Sequence, residues 1–280
     1  MWDWIASAAA GERVGQAATR VLEVLGQEPR FASYASAAAL AERAGVNAAT
    51  VVRTAQLLGF TGWPELRLEL RSRYLASLSA GEVLAEHAEA AGESGDLVHA
   101  AISADQANLG MLATTVDATA VRAIAAAMHA AGTTVALGSG AFAAPGVQLA
   151  HVAAIMGYAA VSRQGGGTSL INDLRRLGGG DCLVVCDLWR LPREIATAGR
   201  LAAERGATVA VLTDRRDSSL ARNAAHVVVV PSEGVSLYPA LAATMSVVHA
   251  ILAELARLGG QRALESVAET ERLWEQAELF

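Results

Sequence analysis

The chain has 280 residues, of which 53% are hydrophobic, and a formal net charge of −6. This length allows two domains or one large domain, and the apolar fraction excludes an intrinsically disordered chain. All 22 basic residues are arginines: residues 1–76 hold 8 of them against 7 acids, and the remainder holds 14 against 21 acids. We therefore expect the acidic remainder to form a domain that does not touch nucleic acid.

The sequence contains two cysteines, Cys182 and Cys186, inside one predicted strand. Four residues of strand span about 13 Å, well beyond the roughly 7 Å between Cα atoms that a disulfide allows. We expect buried thiols in a reducing cytoplasm. The six histidines show no ligand spacing, so we predict no metal site and no cofactor. No apolar run reaches about 18 residues, so no membrane span is expected.

Two short helices joined by a tight turn are predicted over the stretch from Leu40 to Phe60. Gly45 ends the first helix, because a residue without a Cβ enters the left-handed conformation without steric cost. Ser36 and Asn47 are the predicted N-caps of the two helices. Before them, Val14, Ala18, Val21 and Leu25 share one face of a helix that ends near Pro29. The pattern indicates a helix-turn-helix, although an ordinary helical hairpin has the same spacing.

The second helix of this pair presents small and polar residues outward, where a DNA groove can approach. A later helix carries Arg67 and Arg71, which either follow DNA phosphates or pair with Glu65 and Glu69 on a solvated face. The candidate DNA-binding residues are Ser36, Asn47, Ala48, Ala49, Thr50, Arg53, Gln56, Arg67 and Arg71.

The second half of the chain alternates short apolar runs with helix-length segments, a pattern typical of a parallel sheet covered on both faces. The helices are predicted at 147–156, 169–177, 194–205, 219–224 and 239–258. The strands are predicted at Thr133–Leu137, Ala159–Ser162, Cys182–Cys186, Thr208–Thr213 and Val227–Val230. Overall, we predict an all-α helix-turn-helix domain followed by an α/β doubly wound domain with a five-stranded parallel sheet.

Ligands of such sheets bind beyond the carboxyl ends of the strands, near the point where the strand order reverses. The glycine-rich turn Gly138–Phe142 follows the first strand and leads into a helix. By itself this turn is weak evidence, because many doubly wound domains use glycine there for close packing.

Two groups of motifs resemble the RpiR/MurR family of bacterial transcription regulators. The first group is LAERAGV at 40–46, TVVR at 50–53 and LGFTGW at 58–63, which resembles their N-terminal DNA-binding domain. The second group is the Gly-x-Gly turn at 138–140, Gly180-Asp181 and Leu212-Thr213-Asp214, which resembles the SIS (sugar isomerase) domain that follows it. The resemblance implies a helix-turn-helix domain at 1–77, a helical or loose linker at 78–96 and a SIS-like effector and oligomerisation domain at 97–280.

The resemblance weakens at the expected phosphate site. Phosphosugar-binding members usually carry Ser at the position of Phe142 and a loop rich in Ser and Thr after the third strand. Here residues 187–193 read DLWRLPR. We interpret the site as re-specialised, with Trp189 as a wall and Arg190 as an anion contact, or else Trp189 packs at a subunit interface. The candidate effector-binding residues are Ser139, Gly140, Phe142, Asp187, Trp189, Arg190 and Glu233.

The predicted function is a cytoplasmic transcription regulator that senses a small effector, anionic or sugar-derived. We expect a homodimer or homotetramer on a pseudo-palindromic DNA operator, since paired recognition helices require half-sites about one helical turn apart. Two alternatives remain. In one, the second domain only dimerises. In the other, the chain is a sugar-phosphate isomerase with Glu233 or His249 as base, although the expected phosphate grip is missing.

Overall fold

A computed structural model of the chain describes residues 2–11, 13–92 and 96–280, and its contacts divide the chain into two compact units, residues 1–93 and 94–280. The first unit is helical, as predicted, with one apolar core formed by residues such as Leu25, Leu40, Val51 and Leu66. Its helices are α1 (Trp2–Ala8), α2 (Gln16–Gln27), α3 (Pro29–Tyr34), α4 (Ala37–Arg43), α5 (Ala48–Leu57), α6 (Trp63–Ser77) and α7 (Ala80–Gly92).

The turn between α4 and α5 has the predicted geometry. Gly45 has φ +62°, and the side chains of Ser36 and Asn47 accept hydrogen bonds from the N–H groups of Ala39 and Thr50 at 3.1 and 2.9 Å. The guanidinium of Arg20 in α2 donates to the carbonyls of Ala44 and Gly45, both at 3.2 Å. These bonds satisfy backbone groups that the two helix ends leave without intrahelical partners. The predicted helix-turn-helix and both caps are confirmed.

The segment predicted as a helical or loose linker begins as helix α7. Arg30 in α3 pairs with Glu86 in α7 at 2.8 Å between Nε and Oε1, within the first unit. Residues 93–95 of the expected linker lie outside the described residues. The domain boundaries at 77/78 and 96/97 stay predictions.

The second unit contains the five predicted strands in a parallel sheet of order β2-β1-β3-β4-β5. The chain moves outward from β1 to β2 and then returns past β1 to β3, so the strand order reverses between β1 and β3. The elements of this unit are α8 (Leu97–Thr115), α9 (Ala118–Ala130), β1 (Thr134–Gly138), α10 (Ala144–Ile155), β2 (Ala160–Gln164), α11 (Gly167–Leu174), β3 (Cys182–Asp187), α12 (Arg193–Glu204), β4 (Thr208–Thr213), β5 (His226–Val229) and α13 (Ala242–Gln276).

Helices cover both faces of the sheet. Leu137, Val185 and Val211 point to the face where α11 and α12 pack, and α9 and α10 contact the strands elsewhere, with α13 packed on these two helices. Cys182 and Cys186 are buried free thiols, as predicted, and burial raises the pKa of each to about 12. A buried, protonated thiol is a poor nucleophile, so these cysteines fill space in the core.

Two helix predictions need correction. Residues 219–224 form only a short 3-10 turn, Ala221–Asn223. The Ser218 hydroxyl accepts from the Ala221 N–H and the Asn223 carboxamide donates to the Ser219 carbonyl, and such local side-chain bonds compete with the helical hydrogen bonds. The closing helix does not end near Leu258: α13 bends at Gly260, with φ +52° and ψ −129°, and continues to Gln276. A Cβ on Gly259 would lie 2.7 Å from the Tyr158 hydroxyl, so the bend also depends on close approach of these two residues.

One described helix, α13, contains an 18-residue window long and apolar enough to cross a membrane by composition. Of that window, 39% is buried inside the protein, and residues such as Val248, Ile251 and Leu255 pack into the second unit. The core helix of a folded domain passes the same test, so packing accounts for its apolar residues. Helices α8 and α9 pass the test only together, and they meet at 87°.

Candidate functional site

Helix α5 presents an exposed face on the first unit. Ala48, Ala49, Arg53 and Gln56 are exposed, whereas Val51 and Ala55 lie in the core. At about 100° of rotation per residue, the four exposed positions cover an arc of about 140°. Small residues at the start of this arc allow the helix to approach a surface closely, and its N-terminal N–H groups carry partial positive charge.

Arg53 is linked to the capping residue of α5. The Asn47 carboxamide oxygen accepts a hydrogen bond from the Thr50 hydroxyl at 3.0 Å. That hydroxyl in turn accepts a long bond from Arg53 Nη2 at 3.5 Å. Asn47, Thr50 and Arg53 therefore lie together at the start of α5, as predicted, with the guanidinium exposed.

The two arginines of α6 that are predicted to contact DNA phosphates are less exposed than Arg53 of α5. Arg67 and Arg71 are half-buried, and the Arg71 guanidinium lies 4.4 Å from the centre of the Tyr34 ring. Stacking on this ring orients Arg71 inside the first unit. Its role in DNA binding stays a prediction. Ser36 is exposed, and its side chain caps α4.

A cavity of about 180 Å³ lies in the second unit where β1 and β3 end, at the reversal of the strand order. A Cβ on Gly138 would lie 2.5 Å from the Cα of Ala143, so glycine is required for the 3-10 turn that follows β1. This turn and the loop after β3 form most of the cavity wall. The lining residues are Ser139, Gly140, Ala141, Phe142, Cys186, Asp187, Leu188, Trp189, Arg190, Leu191, Pro192, Ile195 and Tyr238.

Three aromatic rings meet at this cavity. The Tyr238 ring lies edge-to-face against Phe142 and Trp189, with centroids 5.7 and 5.5 Å apart. Arg190 is exposed, and its guanidinium carbon lies 4.9 Å from the centre of the Trp189 ring. The cavity thus has an apolar, aromatic side and a cationic group near one of its walls.

Asp187 lines the cavity but is almost completely buried. The residue is 1% exposed, and burial raises the pKa of its carboxyl above the ordinary value. The Ser218 and Thr213 hydroxyls and the Arg215 guanidinium oppose this shift. The hydroxyls approach the carboxylate without reaching good hydrogen-bond geometry. The charged form of Asp187 is therefore costly in this position.

The structure brings together six of the seven predicted effector residues: Ser139, Gly140, Phe142, Asp187, Trp189 and Arg190 all line the cavity. The lining that the structure describes does not include Glu233, whose backbone N–H and carbonyl bond the Asn108 side chain. Among the residues that the structure describes, no group of three or more His, Cys, Asp or Glu side chains could hold a metal ion.

Sequence reasoning missed Tyr238 and Asp214. Tyr238 follows an irregular stretch that has no periodicity, so no local signal marks it. Asp214 was recognisable, because it directly follows β4 while Asp187 ends the neighbouring β3, and the carboxyl ends of neighbouring parallel strands meet at one edge. Its carboxylate accepts a hydrogen bond from the Trp189 N–H at 3.1 Å.

Family models match both units of the chain. A helix-turn-helix domain of the rpiR family matches residues 8–77, and a SIS domain matches residues 127–254. Among curated proteins, none matches the chain.

Two solved structures resemble the chain, one over the SIS domain alone and one over nearly its whole length. The sugar isomerase domain of an RpiR transcription factor from Sphaerobacter thermophilus is 31% identical, with 63% of this chain and 98% of that one covered and a TM-score of 0.60. The Vibrio vulnificus NanR protein, solved with ManNAc-6P, has the same fold over 98% of both chains at 19% identity and a TM-score of 0.59. This chain therefore belongs to the RpiR family of DNA-binding regulators, with a helix-turn-helix domain followed by a SIS domain.

Proposed function

We propose that this protein is a cytoplasmic transcription regulator that contacts its operator through α5 and binds a small effector in the cavity after β1 and β3. The observation that carries the proposal is the exposed face of α5, with Arg53 beside the capped helix start. The operator is pseudo-palindromic, and the protein binds it as a homodimer or homotetramer. Its SIS domain senses the effector and performs no catalysis.

A DNA-binding measurement tests the first part of this proposal. Arg53→Ala removes a guanidinium that can reach a base edge or a phosphate, so operator affinity should fall by about 1–3 kcal/mol. The operator fragment is first recovered from a random-sequence DNA pool with the wild-type chain. Arg200→Ala is the matched control, since Arg200 is exposed in α12 of the second unit and pairs there with Glu204. Equal DNA affinities of Arg53→Ala and the wild type, with unchanged circular dichroism, would remove Arg53 from the interface.

The effector differs, in our proposal, from a plain sugar phosphate. NanR was solved with ManNAc-6P, but here a buried carboxyl and three aromatic rings surround the site. A phosphate would bring negative charge beside a carboxyl whose charged form burial already disfavours. At about 4 Å and an effective dielectric near 20, each pair of like charges costs roughly 4 kcal/mol. Trp189 instead offers an apolar wall, and Arg190 can bind an anionic group.

Calorimetry with common hexose and pentose phosphates tests this specificity. We expect none of them to bind tighter than about 100 µM, or roughly −5.5 kcal/mol. A true effector should lose affinity in Trp189→Ala and in Arg190→Ala. Micromolar binding of a plain sugar phosphate that neither substitution weakens would overturn the proposed pocket.

Two observations bear on the rival functions. An isomerase needs a positioned base, but Glu233 and His249 are both absent from the described lining of the cavity, and the exposed His249 contacts Gln148. A SIS domain that only dimerises would need no cavity at the strand reversal. Retention of operator binding by a protein that takes no ligand in the screen and none from cell extract would favour that alternative.

A further inference from the structure

The loop between β5 and α13, residues 230–241, closes on itself and is called here the Tyr238 loop. The Ala240 N–H donates a hydrogen bond to the Ser232 carbonyl at 3.0 Å. Inside this closure, a Cβ on Gly234 would lie 2.7 Å from the Tyr238 carbonyl oxygen, so the two sides of the loop nearly touch. Such a compact loop tends to move as one piece, because bending it would break these internal contacts.

One end of the Tyr238 loop forms part of the cavity. The Tyr238 ring contacts both Phe142, from the turn after β1, and Trp189, from the loop after β3. Tyr238 as a whole is nevertheless 46% exposed. An effector that fills the cavity must therefore contact the Tyr238 ring or displace it.

The other side of the Tyr238 loop is held by Asn108, a residue of α8. The Asn108 side-chain NH₂ donates to the Glu233 carbonyl at 2.7 Å, and its carbonyl oxygen accepts from the Glu233 N–H at 3.1 Å. Asn108 is 3% exposed, so water does not compete for these bonds. A pair of hydrogen bonds from one planar amide restrains both the position and the orientation of the loop backbone.

Helix α8 is the first described element after the helix-turn-helix unit, since α7 ends at Gly92 and α8 begins at Leu97. The connection between the two units in the sequence therefore leads directly into the helix that Asn108 fastens to the Tyr238 loop.

From these contacts we infer that Asn108 couples the effector cavity to α8. An effector that moves Tyr238 shifts the loop as one piece, the paired hydrogen bonds carry the shift to α8, and α8 alters the connection to the DNA-binding unit. The inference rests on the proposed function and adds its route of regulation. A ligand can drive such a change only if its affinity differs between the present and the shifted position of the loop. Its contact with the Tyr238 ring supplies that difference in affinity.

Hydrogen exchange of the full chain, measured by mass spectrometry, tests the coupling without a known effector. Tyr238→Ala removes the ring contacts at the cavity. It should speed amide exchange in the part of α8 around Asn108 by on the order of threefold or more. In an Asn108→Ala background, the same substitution should leave exchange in α8 unchanged. The second half of α12, residues 199–204, serves as the internal control, since α12 lines the cavity through Ile195 in its first turn.

One further variant serves as the matched control for Asn108→Ala. Asn223 also bonds a backbone carbonyl, that of Ser219, but it lies outside the proposed route. Asn223→Ala should therefore leave the response of α8 to Tyr238→Ala intact. If Asn108→Ala does not fold, Tyr238→Ala alone still decides, because α8 must respond while the second half of α12 does not. Equal responses in α8 and in the second half of α12, or no response in α8, would overturn the inference.

Operator affinity supplies the functional readout, with the DNA fragment recovered from the random pool as probe. Tyr238→Ala and Asn108→Ala should each change the affinity by at least about fivefold. The double variant should have the operator affinity of Asn108→Ala, because without the Asn108 hydrogen bonds a movement of Tyr238 no longer reaches α8. If the chain recovers no DNA, the proposed function itself fails. If it binds DNA but both single variants match the wild type, or their effects add, only the coupling through Asn108 is wrong.

Discussion

Trp189 has a backbone conformation that a bulky residue rarely adopts. Its φ is +62°, and its N–H donates to the buried Asp214 carboxylate at 3.1 Å. Residues held in such sparsely populated regions cost about 1–3 kcal/mol each, and they concentrate at binding sites. Here the strained backbone directs the indole into the cavity wall, against Tyr238. Asp214 thus positions the residue that we propose as the main wall of the effector site.

Replacing Trp189 by glycine and by alanine separates backbone strain from side-chain loss. Both substitutions remove the ring, but only glycine adopts φ +62° without a Cβ clash. Trp189→Gly should therefore be more stable than Trp189→Ala by about 1 kcal/mol. Urea denaturation of the two variants gives this difference directly.

Arg190 provides the matched control for this comparison, because its φ is not in the left-handed region. There the usual order should hold, with Arg190→Ala at least as stable as Arg190→Gly. If the alanine variant also proves more stable than the glycine variant at position 189, the backbone of Trp189 is not strained.

At the scale of the element, the candidate DNA-binding face is held by the helix pair α4 and α5 and the turn between them. Gly45 turns the chain, Asn47 caps α5, and Arg20 binds the carbonyls at the end of α4. The exposed face of α5 is therefore positioned by backbone hydrogen bonds as well as by apolar packing.

Gly45→Ala should lower the free energy of unfolding by about 1 kcal/mol, because alanine is strained at φ +62°. Gly110→Ala is the opposite case. Gly110 lies inside α8 with nothing within 4 Å of an added Cβ, so alanine should stabilise the protein by about 0.5–1 kcal/mol. Thermal unfolding followed by circular dichroism measures both changes. Nothing lies within 4 Å of a Cβ added at Gly45 either, so an unchanged stability of Gly45→Ala would mean that the left-handed conformation carries no strain at this turn.

At the scale of the whole molecule, α8 carries an exposed apolar stripe. Val98, Ile102 and Leu109 are 68%, 52% and 39% exposed and fall on one side of the helix. Large exposed apolar patches commonly mark protein–protein interfaces. This stripe is a candidate contact for the homo-oligomer that a pseudo-palindromic operator requires.

Sedimentation velocity of the full chain at micromolar concentration should show a dimer or a larger assembly. Val98→Glu combined with Ile102→Glu should weaken the association, because burying two carboxylates in an interface is costly. Ser103→Glu is the matched control, since Ser103 is exposed on α8 away from the stripe. A monomeric wild-type chain would contradict the predicted assembly, and equal association of all variants would place the interface elsewhere.

Local features of the sequence determined most of the fold. The five apolar runs predicted the five strands, since a strand buried on both faces needs no alternation. Gly45, Asn47 and Ser36 predicted the helix-turn-helix, because turn and cap chemistry acts within a few residues. The position of the cavity also followed, because the reversal of strand order lies where the Gly138 turn follows β1. Six of seven proposed effector residues line it for that reason.

Only the tertiary structure decided the surroundings of these residues. Tyr238 and Trp189 are 49 positions apart, and Asn108 and Glu233 are 125 apart, so no pattern within a window of the sequence connects them. The path of the Tyr238 loop depends on long-range packing rather than on propensity. The burial of Asp187, which raises the pKa of its carboxyl, likewise depends on neighbours from β4 and the loop after it. A sequence names a carboxylate, but the folded chain sets its solvation and therefore its charge.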